Sequence, residues 1–333
     1  MEKLNRRSLL LGCGATLMCS RGSFASGAID EQGYVPIGGM EQWIAIQGED
    51  STNPAILYLH GGPGEAQSPF LNSFAPWKHD FTVVNWDQRG AGKTFEKYGE
   101  ATPDLTLHRL TEDSMEVTRY ALNRLGKRKL ILVGQSFGAM LGLMVVRRAP
   151  DLYYAFVGTG QFVNNQLTME YRERWAREQA AATHDEAGLK ALEDVQTLSV
   201  NDWKRIGASR KWMMSPPDLE YLELQRDFAG PPDHPKPEAQ AWVKGYGFEA
   251  NKVGNESIAF DAMKDVPSIP VPYILIQGRE DHVTPFEPAR AYWEKVRSRG
   301  KAFAAIDGGH YACFTDSNQF LAAMRQHVLP LVR

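Results

Sequence analysis

The sequence predicts an α/β fold with a largely parallel sheet covered by helices, and three observations carry that prediction. Short apolar runs alternate with helix-patterned stretches through most of the chain. Those runs are continuous rather than alternating polar and apolar, as in strands buried on both faces. One of them passes through a glycine-flanked serine directly into a helical run, a connection that demands a strand before and a helix after.

The elements follow in order. Strands are predicted over residues 44–47, 55–59 and 82–86. Residues 107–125 form a long amphipathic helix, because Leu107, Leu110, Met115, Val117, Ala121, Leu122 and Leu125 recur near a helical period, and Gly126 is placed to close it. The next strand, 130–133, runs into Gly134-Gln135-Ser136-Phe137-Gly138, after which an apolar helical run continues until just before Pro150. Further strands are predicted at 155–158, 273–277 and 302–306. Between them, residues 161–265 lack strand patterns and are rich in Trp, Tyr, Met and charge. This stretch reads as helices broken at Ser215-Pro216-Pro217 and around Gly230-Pro231-Pro232. The organisation is therefore a core over residues 30–160 and 266–333, interrupted by a helical insertion placed as a cap over the carboxyl ends of the strands.

Composition narrows the function. With 333 residues, 43% hydrophobic and 23% charged, the chain can bury a large core. A net charge of -3 and a pI near 6.3 give no basic footprint, which argues against a nucleic-acid partner. Residues 1–25 read as a signal peptide. Lys3, Arg6 and Arg7 precede a short apolar stretch, and Ser23-Phe24-Ala25 supplies a small-x-small cleavage pattern. Arg6-Arg7-Ser8 resembles a twin-arginine signal, with general secretion as the other route, so an exported, periplasmic protein is expected. The apolar stretch is too short to span a bilayer, and no stable membrane insertion is expected after its removal. Leu10-Leu11-Gly12-Cys13 loosely resembles a lipoprotein cleavage box, which leaves lipidation of Cys13 open. Once the signal is removed, Cys313 is the one cysteine remaining, so no internal disulfide is expected.

The chemistry centres on Ser136. A serine hydroxyl needs a base in hydrogen-bond reach, itself oriented by a carboxylate, and on an elbow of this kind the chain order is serine, acid, histidine. Asp281 follows the strand 273–277 and is the predicted acid; Glu280 and Asp307 are rivals, disfavoured because a residue on or at the end of a strand usually points elsewhere. His310, presented by Gly308-Gly309, is the predicted base. The two glycines are read as leaving its imidazole free to swing toward Ser136. His60 precedes Ser136 and is read as structural. An oxyanion needs two backbone donors. One is predicted to be the N–H of Phe137, the other that of Gly62 in the loop His60-Gly61-Gly62-Pro63-Gly64, with Gly61 as the alternative. No ligand-spaced His or Cys cluster suggests a metal, and the glycine-rich loops follow no nucleotide-binding pattern.

Taken together, His60-Gly61-Gly62-Pro63-Gly64, Asp87-Gln88-Arg89-Gly90-Ala91-Gly92, Gly134-Gln135-Ser136-Phe137-Gly138, Gly278-x-x-Asp281 and Gly309-His310 resemble an α/β-hydrolase of the proline iminopeptidase-like group. The resemblance runs from about residue 34 to the end, except for the cap. It implies a sheet of about eight strands, a helical cap, no cofactor, and cleavage of an acyl bond through an acyl-enzyme. Asp87 and Arg89 are read as a charged pair bracing the turn after a strand.

The expected substrate is a small molecule or short peptide. The resemblance favours an aminopeptidase releasing N-terminal residues; a carboxylesterase or lactonase acting on a bulky apolar ester, and a binding protein of the same fold without turnover, are the alternatives. Recognition of a free amine calls for carboxylates from the cap, which carries Glu170, Glu173, Glu220, Glu223 and Glu249. However, residues 169–178 alternate in sign like a solvated helix with internal pairs. Trp175, Trp203, Trp212, Met213, Met214 and Trp242 suit either an apolar substrate group or ordinary packing.

Overall fold

The computed structural model describes residues 27–231 and 234–332; the predicted signal peptide, with Cys13 and the arginine pair, lies outside the described residues. Eight strands form one sheet: β1 (Ile29–Ile37), β2 (Met40–Gly48), β3 (Ala55–Leu59), β4 (Thr82–Trp86), β5 (Leu130–Gln135), β6 (Tyr153–Thr159), β7 (Tyr273–Gly278) and β8 (Lys301–Ile306). Their order is β1-β2-β4-β3-β5-β6-β7-β8. β2 runs antiparallel to both its neighbours, and every other pairing is parallel.

The apolar runs become strands because both faces of the sheet are covered. Along β5, Leu130 and Leu132 join the core on one face while Ile131 and Val133 join the core on the other, and all four are fully buried. Burial of each such side chain stabilises the fold by about 1.5–3 kcal/mol. One face is covered by α2 (Leu107–Leu125), α3 (Phe137–Arg148) and α10 (Phe286–Lys295). The other is covered by the 3-10 segment Ser68–His79 and by α11 (Ser317–His327), where Trp77 stacks on Phe320 with centroids 4.8 Å apart. The predicted helix 107–125 keeps those boundaries. Thr106 accepts the N–H of Arg109 at its start, and Gly126 closes it at φ 63°.

Two strands differ from expectation. β1 goes unmarked in sequence because its inward residues alternate with Asp30, Gln32 and Tyr34, and because Gly33 and Pro36 interrupt the apolar pattern. It is an edge strand facing solvent on one side. β8 is likewise an edge, and residues 302–305 are only part-buried rather than enclosed on both faces.

Between β6 and β7 the chain is helical: α4 (Asn165–Ala182), α5 (Glu186–Asp194), α6 (Trp203–Ala208), α7 (Pro216–Ala229), α8 (Gln240–Ala259) and α9 (Ala262–Asp265). The break at Ser215-Pro216-Pro217 is the start of α7, where Ser215 and Asp218 form a reciprocal capping box. α8 seats this layer on the core by packing along α1 (Gly92–Tyr98), with the Phe95 and Phe248 rings 5.3 Å apart. Among the described residues no helix is long and apolar enough to cross a membrane.

Candidate active site

Ser136 sits between β5 and α3 at φ 55° and ψ -118°, a backbone region that a non-glycine residue occupies only where its surroundings enforce it. Those surroundings are visible on either side. A Cβ at Gly138 would collide with the carbonyl oxygens of Leu59 and His60, and one at Gly134 with the backbone of Gly138 and Ala139. The strand and helix thus touch through bare backbone. The Ser136 N–H is held by the Thr159 carbonyl at 3.0 Å, which fixes the turn against β6.

Asp281 and His310 are brought together. The imidazole Nδ1 lies 3.1 and 3.2 Å from the two carboxylate oxygens. Asp281 is fully buried and further held by the N–H groups of Val283 and Thr284, both at 2.9 Å, by the Thr284 hydroxyl at 2.9 Å and by Gln277 Nε2 at 2.8 Å. Both rivals face solvent: Glu280 is exposed, and Asp307 is exposed beside Arg279 and Gln319. Burial disfavours a charged His310, but the charge and hydrogen bond of Asp281, with smaller contributions from Asp218 and Glu65, outweigh it and raise the imidazole above its ordinary 6.5. The His310 carbonyl accepts from Gln135, the neighbour of Ser136, at 3.3 Å.

Gly309 has a role that the sequence does not show. It leaves room for a cap side chain, because a Cβ there would overlap the Asp218 carboxylate and the Ser215 hydroxyl. Asp218, fully buried on α7, accepts the N–H groups of His310 and Tyr311, both at 2.8 Å.

The loop after β3 crosses beside Ser136. A Cβ at Gly61 would come within 3.2 Å of the Ser136 Cβ, and Gly62 has φ +111°, open to glycine alone without strain. His60 is structural, as predicted: its Nε2 accepts the Gln88 N–H at 3.2 Å, its Nδ1 lies 2.9 Å from the Gly61 carbonyl, and burial pulls its pKa down to about 4. The Asp87-Gln88-Arg89-Gly90 turn therefore anchors the glycine loop. The predicted pairing of Asp87 with Arg89 is corrected. Arg89 is paired with Asp113 of α2 at 2.7 Å and also donates to the carbonyls of Pro103 and Gly38, because the long side chain passes through the turn to reach the helix beneath. Asp87 instead accepts the N–H groups of Ser68 and Lys93.

Two cavities flank this centre. One, of about 160 Å³, is lined by Ser136, Phe137, Gly62 and Thr284 together with the cap residues Arg172 and Trp203. A larger one, of about 820 Å³, is lined by Glu65, Gln225, Met214, Trp242, Tyr246 and Tyr311. None of the five cap glutamates lines either cavity. Glu170, Glu220 and Glu223 are exposed, and Glu173 pairs with Arg205 of α6 at 2.6 Å. Glu249 is fully buried with neither carboxylate oxygen partnered, and burial, then the nearby charge of Asp87, push its carboxyl well above the ordinary range. The aromatic and Met residues divide. Trp203, Met214 and Trp242 line cavities, whereas Met213 is buried with Trp175 and Trp212 packed against its cluster. Among the described residues no group of three or more His, Cys, Asp or Glu could hold a metal ion.

Four residues at this centre escape a reading of the sequence. Thr284 bridges the pair, its hydroxyl 3.2 Å from His310 Nδ1. Glu65, the residue after the His-Gly-Gly-Pro-Gly run, is a buried carboxylate hydrogen-bonded by Gln225 at 2.6 Å and raised in pKa by that burial. Asp218 is signalled only as a helix cap, by the Ser-Pro-Pro-Asp pattern. Arg172 belongs to the segment read as a solvated helix with internal pairs. It is instead 8% exposed, and among the described residues it takes part in no ion pair. Its neighbour Glu173 pairs outside the segment because α4 turns its 169, 172 and 176 face inward.

Comparison with known proteins extends these observations. A model of the alpha/beta hydrolase family matches residues 56–324. The chain is similar to a probable aminopeptidase, YbaC, of Bacillus subtilis (strain 168), at 28% identity over 307 residues, covering 87% of this chain and 94% of the relative. It is also similar to a proline iminopeptidase of Lactobacillus delbrueckii subsp. bulgaricus, at 24% identity over 283 residues, covering 83% and 90%. Among solved structures it resembles a proline iminopeptidase-related protein from Thermus thermophilus, with a TM-score of 0.64, 21% identity, and coverage of 91% of this chain and 99% of that one.

Proposed function

The chain belongs to the alpha/beta hydrolase family, and from that premise we propose that it is a serine hydrolase cleaving small amide or ester substrates through an acyl-enzyme. The observation that carries the reading is a single cavity lined by Ser136, Phe137, Gly62 and Thr284, the Thr284 hydroxyl lying within hydrogen-bond distance of both members of the pair Asp281 and His310. In this mechanism His310 Nε2 takes the proton from the Ser136 hydroxyl as its oxygen attacks the acyl carbon. Asp281 keeps Nδ1 protonated and steadies the imidazolium, while the N–H groups of Phe137 and Gly62 donate hydrogen bonds to the developing oxyanion. The leaving group departs with the proton from His310. Water then repeats the sequence on the acyl-enzyme, with His310 again as base, and Ser136 is restored.

We assign the finer activity to an aminopeptidase of the proline iminopeptidase type, supported by the names of the relatives at 28% and 24% identity. A carboxylesterase is the second reading, favoured by one observation: no cap glutamate lines the cavity beside Ser136, so an ammonium group finds no carboxylate there. We also propose that the protein is exported to the periplasm, on the N-terminal pattern alone. Proline p-nitroanilide assayed beside p-nitrophenyl esters separates the two activities. Labelling by a fluorophosphonate probe, lost in Ser136→Ala, tests the shared chemistry; an unlabelled protein is a binding protein and ends the enzyme reading.

A further inference from the structure

Arg172 and Arg89 are both buried arginines, and they differ in what they hold. Arg89 commits its guanidinium to both oxygens of Asp113, to the Pro103 carbonyl at 3.0 Å and to the Gly38 carbonyl at 2.8 Å. Arg172, only 8% exposed, makes one hydrogen bond, from Nη2 to the Ile206 carbonyl at 3.3 Å. Among the described residues its buried Nε has no hydrogen-bond partner and no carboxylate lies within ion-pair distance. A cation taken out of water without a counter-ion is costly, so such a group marks a place where a ligand supplies the missing charge. Burial, followed by the like charge of Arg210 and opposed by the more distant charge of Asp281, draws its pKa down to about 10, which still leaves it charged near neutral pH.

The position of this cation gives it a use. Arg172 lines the cavity of about 160 Å³ that also contains Ser136 and the predicted oxyanion donors, and no acidic side chain lines that cavity. The walls are otherwise apolar at Met140, Phe162, Ile206 and Val283 and polar at Asn165 and Thr168. That lining suits a short apolar stem ending in an anion. We propose that Arg172 is the counter-ion for a carboxylate carried by the substrate, so that the enzyme selects acyl compounds with an anionic group a few atoms from the scissile carbonyl. This deepens the serine-hydrolase reading and rests on it. It holds for an ester or an amide alike, because the fork of a guanidinium recognises the carboxylate and not the bond being cut.

The test compares paired esters at about pH 7.5, where an ordinary carboxylate is ionised. Acyl-side recognition is read from p-nitrophenyl hemiglutarate against p-nitrophenyl valerate, and alcohol-side recognition from 3-acetoxybenzoate against its methyl ester. In one of the two pairs the native protein should favour the charged member by about tenfold or more in kcat/KM, and Arg172→Met should bring that ratio down to about one. Arg172→Lys should retain part of it, and serves as the second variant if the methionine protein does not fold. No preference in either pair, or a preference unchanged by both substitutions, overturns the proposal. The underlying reading fails separately, if hydrolysis survives Ser136→Ala or if neither these esters nor proline p-nitroanilide is cleaved. In that event calorimetric titration of the native protein with glutarate decides the anion site on its own: binding weakened at least about tenfold by Arg172→Lys supports it, and no binding overturns it.

Discussion

Asp218 of the cap accepts the backbone N–H of His310 at 2.8 Å, and its second oxygen accepts that of Tyr311 at the same distance. The loop carrying the proposed base is thus fixed by a carboxylate from the helical layer above it. Gly309 makes the contact possible, since any side chain there would occupy the space of the Asp218 carboxylate. Cap and base are coupled through one buried residue, which holds the His310 loop and sets its charge beside the imidazole.

Replacing that residue should therefore cost both stability and turnover. Asp218→Ala leaves two buried donors without acceptors and should destabilise the protein by about 3 kcal/mol, read from chemical denaturation. Misplacing the imidazole should lower kcat roughly tenfold or more. Asp218→Asn offers the readout that packing alone would not move. The charge of Asp218 helps to raise the His310 pKa, so the acid limb of the kcat/KM profile should shift to lower pH in the asparagine variant. An unmoved limb would leave Asp218 with a purely structural role.

The pH dependence of the native enzyme has a determined sign. Burial works against a charged His310 and Asp281 works for it, and the second wins, so the neutral base appears only as pH rises through a value above 6.5. The same pairing stabilises the fold while the imidazole is charged; that contribution is complete below pH 6.5 and fades as pH climbs through the raised folded value. Asp281→Asn removes the opposing charge and leaves burial dominant. Its turnover should drop about 10⁴-fold. The residual activity should show its acid limb below that of the native protein, and a limb at the same pH would mean that another group titrates.

The boundary between what was legible and what was not follows from how local each signal is. β3, β4 and the helix 107–125 could be placed to the residue because their patterns are written in consecutive positions. Ser136 and Asp281 stand out for the same reason, each lying just after a buried strand, whereas His310 follows the part-buried edge strand β8 and is marked by the glycines before it. Arg172 and Asp218 do not stand out, because their significance depends on which loop each cap helix covers, and no periodicity records that. The Arg89 partner was misassigned for a related reason. Sequence proximity favoured Asp87, whereas the side chain reaches Asp113, 24 positions along the chain.

The cap is also tied to the core beside Asp281. Trp175 of α4 stacks on His282, the residue after Asp281, with centroids 4.0 Å apart and planes at 14°. Tyr171 adds a hydrogen bond to His282 Nδ1 at 3.0 Å. Burial lowers the His282 pKa, against the nearby Asp281 and Glu287 charges. Trp175→Ala should open this contact, destabilise the protein by about 2 kcal/mol and let the His282 pKa rise as its ring meets water. Titration of the imidazole by NMR checks the direction, and a fall would contradict a burial origin.

The elbow itself yields the most severe expectation. Gly138 lies where α3 crosses the end of β3, and an added methyl would enter the space of the Leu59 and His60 carbonyl oxygens. Neither side can yield easily. β3 is held in register with β5 through Leu57 and Leu132, and the residues just beyond it carry the proposed oxyanion loop. Gly138→Ala should accordingly lower stability by about 3 kcal/mol and abolish fluorophosphonate labelling of whatever protein still folds, since any relaxation moves Gly62 away from Ser136. Gly33→Ala on β1 is the matched control. Nothing lies within 4 Å of a Cβ there, so the melting temperature should change little and labelling should persist. Should Gly138→Ala melt and label like the control, the close strand-to-helix contact at Ser136 would have no part in shaping the proposed nucleophile.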